Sequence, residues 1–289
     1  MSEPDEIICK PTKWFLWRAL AMCLMFAVGA AWFFRDYKWG YPEKNVQIFH
    51  YLAFEKAGEE YTKRSQDGLT AAAWEEFAGE QRVYAPIDGV PEPAEVLPEG
   101  TDLDKAWPES LTDYETYASL QAEESNQVIP PGWTDYSNSG GRKWSEDPGH
   151  EVYQKGTIDQ QLWIAILATL LFIGTLFFAL RTMKRSMKAD NEGYTPPGGS
   201  KIPYSSMKRL DARKWDTKGL AYITYDDKGK SGKARIDGMV YGQFKKEEGE
   251  PAQKLYDKIL ANFKGEFIEL AREDDEPAEK PGEKNDSEG

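Results

Sequence analysis

The side chains able to do chemistry are unevenly represented. Of 289 residues, 49 are Asp or Glu, two are His and two are Cys. Carboxylates alone can form a general acid–base pair or hold a hard cation. A calcium loop needs oxygen ligands at alternating positions, and no stretch has that spacing. His50, between Phe49 and Tyr51, reads as a packed or surface imidazole, and nothing in the sequence links it to His150. Cys9 and Cys23 both lie near the N-terminus, which excludes a disulfide scaffold and a CxxC site within one chain. Gly229-Lys230-Ser231 ends like a phosphate loop, but that pattern requires Gly at 224, where Thr224 stands. GxSxG and HExxH patterns are absent. No residue is therefore singled out as catalytic, cofactor-binding or metal-ligating. A hydrolase working with carboxylates near Trp74, Trp107 or Trp144 is the least favoured of three readings.

The elements that position these residues are dominated by two apolar runs. The net charge of −13 and the mean hydropathy of −0.66 describe an acidic, polar protein, but the average hides Trp14 to Phe34 and Leu162 to Leu180. The second run has 19 residues and no charge. At ~1.5 Å per residue it spans roughly 28 Å, the thickness of a bilayer core. The first carries one charge, Arg18, near its start, where it can snorkel, and Trp14, Trp17 and Trp32 near its ends. Both read as transmembrane helices, at 14–34 and 161–180. A cleaved signal peptide is the competing reading of the first, because Val28-Gly29-Ala30 could be a cleavage site; Trp32 to Phe34 prolong the run past it.

Orientation follows from Lys and Arg beside the spans. Arg181, Lys184, Arg185 and Lys188 follow the second span at once, and Lys10, Lys13 and Arg18 flank the first. These four residues after the second span are the candidate headgroup-contacting and topology-setting site. Both termini are then cytoplasmic, with residues 1–13 a short leading segment. Residues 35–160 face outside, with 11 Lys and Arg against 25 Asp and Glu. That region carries 17 aromatic residues, too many for a disordered acidic segment, so part of it must pack. Spacing predicts helices over 42–64 and 69–81 and a third from Pro108 through Leu120. Residues 86–108, with five Pro, read as loop, and 129–156 as ordered coil.

After the second span, 181–200 reads as a basic linker ending in GYTPPGGS. Residues 201–272 form a small α+β domain with 16 cations and 11 acids, and 273–289 an acidic tail expected to be disordered. Ile202 and Tyr204 have strand spacing, and the shift to Met207 and Leu210 implies a bulge. Residues 219–227 and 233–242 are joined by a hairpin turn at Asp226 to Gly229, and with the first segment, 201–211, the three are expected to form an antiparallel meander. Pro251 opens a helix in which Ala252, Leu255, Tyr256, Ile259, Leu260 and Phe263 form one stripe.

The run IPYSSMKRLDARKWDTKGLAYITYDD, then RIDGMVYG, then the closing amphipathic helix, resembles small PH-like domains on bacterial membrane proteins. The whole arrangement is similar to two-span bacterial inner-membrane proteins. The resemblance covers about a quarter of the chain. It implies up to seven strands, an adaptor or binding role, and no catalytic residue. The fold class is thus a two-helix membrane hairpin with a mostly helical outer region and a PH-like inner domain, an antiparallel sheet closed by a C-terminal helix. The expected function is a non-enzymatic membrane adaptor or scaffold. The alternative is an accessory subunit of a larger complex, such as a transporter or respiratory assembly, packed through small residues such as Ala27, Gly29, Ala168 and Gly174. The expected partners are membrane lipids and proteins met through the spans or the inner domain, and not nucleic acid.

Overall fold

The computed structural model describes residues 5–124, 127–242 and 249–269. The acidic tail read at 273–289 lies outside them. The chain divides into two compact units, one comprising Met1–Cys23 and Ile173–Gly289, the other Leu24–Phe172, and both divisions fall inside long helices.

Helix α1 (Lys13–Arg35) starts at Thr12, whose hydroxyl accepts from the Phe15 amide at 3.1 Å, an N-cap. It does not end after the apolar run. A π-helical turn, Asp36–Gly40, carries it into α2 (Tyr41–Gln66), and Lys13–Gln66 is one helix of 54 residues. The sequence reading starts a new helix at Pro42; the structure runs through it. The Tyr41 amide bonds to the Asp36 carbonyl five residues back. The widened turn relieves the clash and lost bond that a proline causes in a regular helix.

In the second unit α3 (Ala71–Glu80) is capped by Thr70. The single helix expected from Pro108 is two, α5 (Glu109–Thr112) and α6 (Tyr114–Glu124). The break is at Asp113, whose carboxylate accepts from the Thr116 amide at 2.8 Å and restarts the helix. Short helices α4 (Pro93–Val96) and α7 (Trp133–Asn138) punctuate the stretches read as loop and coil. Trp74, Trp133, Tyr117, Phe49, Phe54 and Leu111 are fully buried. Trp74 stacks on Tyr117 at 5.3 Å and donates its indole N–H to the Leu111 carbonyl at 3.0 Å. Buried Asn45 donates to the Val96 and Tyr153 carbonyls, both at 3.0 Å, and accepts from the Tyr153 amide at 2.8 Å. One amide thus ties two long loops to α2. Helix α8 (Lys155–Met183) extends past the apolar run at both ends.

The first unit holds two four-stranded sheets. One is ordered β1 (Ile7–Cys9), β2 (Met187–Ala189), β3 (Gly193–Thr195), β4 (Ile202–Pro203), all antiparallel. A single 3₁₀ turn, Tyr204–Ser206, leads into β5 (Met207–Lys214) of the other. There β6 (Leu220–Asp227) lies between β5 and β7 (Lys230–Asp237), so the three-segment meander read from the sequence holds from Met207 onward, with a register shift between Met207 and Arg209; Ile202 belongs instead to β4 of the first sheet, because the 3₁₀ turn at Tyr204 redirects the chain. A fourth strand, β8 (Glu266–Ile268), pairs with β5 in parallel. Helix α9 (Trp215–Lys218) follows β5, and α10 (Pro251–Asn262) buries Ala252, Leu255, Tyr256 and Ile259, the stripe expected. Trp215 stacks on Tyr256 at 4.3 Å.

Two further features differ from the sequence reading. Residues 181–200, read as a linker, contain β2 and β3, because Met187, Ala189 and Tyr194 are core residues at or below 1% exposure. Residues 1–13, read as a leading segment, supply an edge strand whose Cys9 is 1% exposed.

Candidate functional site

The four cations after the second apolar run do not act as one cluster. Arg181 lies in the last turn of α8 and is exposed, as is Lys184. Arg185 is half-buried, and its guanidinium lies so close over Gly198 that a Cβ there would come within 2.7 Å of it. Only a glycine, here at φ +72°, lets the 196–199 turn pass beneath it. Lys188 is part of β2 and pairs with Glu6 at 3.3 Å. Two of the four are therefore exposed and two are engaged by the β-domain.

What the sequence reading missed is the seam beside them. Ile7, Ile8 and Cys9 pair with Ala189, Lys188 and Met187. The Gly242 amide donates to the Lys10 carbonyl at 2.7 Å, and the Thr12 amide to the Val240 carbonyl at 2.8 Å. The Thr12 hydroxyl that caps α1 also donates to the Met239 carbonyl at 3.2 Å. Lys258 of α10 donates to the Asp5 carbonyl at 3.0 Å, and the Cys9 thiol to the Pro251 carbonyl at 3.3 Å. Burial pushes the Cys9 thiol up to about 12, so it stays protonated and is a structural donor rather than a nucleophile. Gly242, at φ +60°, leaves room for that thiol; a Cβ would stand 2.7 Å from its sulfur. The start of the first apolar helix is thereby fastened to the β-domain, and the end of the second runs straight into it. The only sequence signal was a three-residue Ile-Ile-Cys run before a Pro-Thr cap.

A second place of chemical interest is His50, 1% exposed on α2. Its Nδ1 lies 2.8 Å from the Val46 carbonyl. A carbonyl only accepts, so Nδ1 carries the proton and Nε2 presents a lone pair. Nε2 is buried without a hydrogen-bond partner among the described residues. The rings of Tyr84, Tyr136 and Trp144 surround the imidazole with centroids 5.4, 5.8 and 5.0 Å away. Burial, reinforced by the charges of Lys105 and Arg142, pushes its pKa down to about 4. His150 is brought to the same helix, with Nδ1 3.2 Å from Glu55 and its ring 5.5 Å from Tyr51. His150 thus meets α2, the helix that carries His50, which the sequence did not link. Among the described residues neither is hydrogen-bonded to a Ser, Thr or Cys side chain, and no group of His, Cys, Asp and Glu is placed to hold a metal ion.

Compared with protein families, curated proteins and solved structures, the chain matches none.

Proposed function

We propose that this chain is a two-span hairpin of a bacterial inner membrane, with both termini cytoplasmic, that acts without catalysis as an adaptor or scaffold through its β-domain. The observation that carries the reading is the pairing of Ile7–Cys9 with Met187–Ala189. Residues just before the first apolar helix and just after the second share one sheet, which requires one side of the membrane if both helices cross. The surface of those helices supports insertion: 6% of each apolar window is buried within the chain, and Trp17, Leu24, Leu170 and Phe178 are more than 60% exposed. Apolar surface of that extent needs lipid or another chain against it. Exposed Arg181 and Lys184 favour the cytoplasmic face, each contributing about 1 kcal/mol beside anionic lipid. The PH-like reading rests on β5 to β7 and α10. The strand from the N-terminus and the parallel strand after the helix are additions to the pattern that suggested it.

One observation favours the second reading, an accessory subunit of a membrane complex. A Cβ placed on Gly29 or Gly174 would meet nothing within 4 Å. Among the described residues nothing packs against these small positions, and they leave room for a partner's helix.

A crosslinked pull-down from native membranes, comparing the full chain with one ending at Met183, tests both. The adaptor reading expects the partners to disappear with the β-domain. A partner set that survives the cut at near-unit stoichiometry sinks that reading in favour of the subunit.

A further inference from the structure

The outward face of the second sheet is basic. Register places Arg209, Thr224 and Lys233 in one row across β5, β6 and β7, and Asp211, Tyr222 and Arg235 in the next, all opposite the buried row Leu210, Ile223 and Ala234. Three of the cations are already paired: Arg209 with Glu266 at 3.7 Å, Arg213 with Asp211 at 2.8 Å, and Arg235 with Asp237 at 2.7 Å. Lys214 and Lys233 have no carboxylate within 4 Å among the described residues. Lys233 stands 4.4 Å over the Tyr222 ring. Both lysines line a depression of about 710 Å³ with Asp211, Arg213 and Tyr222. A solvated sheet face has no need of a concave surface with two unpaired cations and an aromatic floor; an anionic chain does.

The same chain contains such a segment in its sequence, and the last described strand is directed along β5. Strand β8 pairs in parallel with β5, Arg209 to Glu266 and Asp211 to Ile268, so the chain leaves this sheet travelling in the direction of Arg213 and Lys214. The sequence then continues for 20 residues beyond Glu269. From Glu273 onward it holds eight acids against two lysines, with Glu273-Asp274-Asp275-Glu276 first. From Glu269 to residue 276 is seven residues, which reach about 23 Å when extended, and crossing from β8 to β7 spans three strand spacings, about 14 Å, so the acidic run can reach the depression. Tethering also supplies an effective concentration of order mM, enough for a weak, multivalent contact to be occupied.

We propose that the basic depression on β5 to β7 is a docking surface for the acidic C-terminal segment of this same chain, centred on Lys214 and Lys233. The contact covers the cationic face and sets the threshold at which another polyanion can take it. The inference does not depend on the adaptor reading, because both parties belong to one chain.

A labelled synthetic peptide of residues 270–289 tests it by fluorescence anisotropy against detergent-solubilised protein at 50 mM and 300 mM salt. The chain ending at Glu269 is expected to bind the peptide at least tenfold more tightly than the full chain, whose site is occupied. Binding should weaken at least tenfold at the higher salt, and be lost in Lys214→Glu/Lys233→Glu of the shortened chain. Both lysines are exposed, so folding is not at stake; the milder Lys214→Gln/Lys233→Gln pair should lose part of the binding. Zero-length carbodiimide crosslinking of the full chain should join Lys214 or Lys233 to residues 273–276. Equal peptide binding by the full and shortened chains, retention by the charge-reversed pair, or crosslinks spread evenly over the lysines overturns the proposal. So does a shortened chain that ignores the peptide yet binds phosphatidylserine vesicles through these two lysines, which would make the face a lipid site.

Discussion

The uncharged His50 makes the region between the apolar helices acid-sensitive by a calculable amount. An unfolded histidine titrates near 6.5, and the folded one near 4. Between those values the unfolded chain binds more protons, so stability falls as pH falls, starting near 6.5 and complete just below 4. At 1.36 kcal/mol per unit the loss is about 2 kcal/mol at pH 5.2 and about 3 kcal/mol at pH 4. Lys105 and Arg142 act in the same direction, and every ring packed on the imidazole is aromatic.

His50→Phe fits an aromatic enclosure and removes the buried lone pair, whose burial without a partner costs about 1–3 kcal/mol. The variant should be at least as stable as the wild type at pH 7.5, and the difference should widen by about 3 kcal/mol by pH 4. Hydrogen exchange of α2 peptides by mass spectrometry on the full chain reads this locally, and taking variant minus wild type at each pH cancels the intrinsic rate and the carboxylates that titrate in both. A difference that stays constant from pH 7.5 to 4 would falsify the assignment of a neutral, buried His50.

Asn45→Ala leaves the Tyr153 amide and the Val96 and Tyr153 carbonyls without their partner, and should cost about 2–4 kcal/mol, read as faster exchange in 96–100 and 150–155. Cys9, held near 12 against an ordinary 9.0, should alkylate about 1,000-fold more slowly at pH 8 in the folded chain than in the denatured one, and intact mass after iodoacetamide checks it. Trp215→Ala removes the ring stacked on Tyr256 and the bond from its indole N–H to Gln253 at 2.8 Å; a loss of about 3–5 kcal/mol is expected, measured by urea titration of exchange in α10.

What the sequence made legible is what local patterning controls. The two apolar runs, the hairpin at Asp226 to Gly229 and the α10 stripe each announce themselves within a dozen residues, and each is in place. The continuous helix through Pro42 was not legible, because a proline's usual meaning is a boundary and the compensating π turn leaves no composition signature. The split at Asp113 was readable in principle, since an Asp three residues before Thr116 is an N-cap pattern inside a helical stripe. Strands β1 and β2 were not. Each has three residues, and their pairing joins positions separated by the whole of both apolar runs. The same non-locality hid the aromatic enclosure of His50, whose walls come from Tyr84, Tyr136 and Trp144.

That non-local pairing has a thermodynamic consequence on the membrane reading. A three-residue strand pair is too short to be stable alone, and closing a loop from Cys9 to Met187 costs about 4–5 kcal/mol from its length alone. Two helices inserted in one bilayer, with these residues on the same side, bring the ends together before any strand forms. Insertion then supplies the closure entropy for the β1–β2 pairing, the one non-local pairing of that sheet; β2–β3 and β3–β4 are local. Replacing residues 14–34 by a polar linker of equal length should therefore strip exchange protection from 7–9, while β5, β6 and β7, whose pairings are local, keep theirs. Undiminished protection of 7–9 in that variant would show that Ile7–Cys9 finds its place without the spans, and the coupling of this strand to insertion would be abandoned.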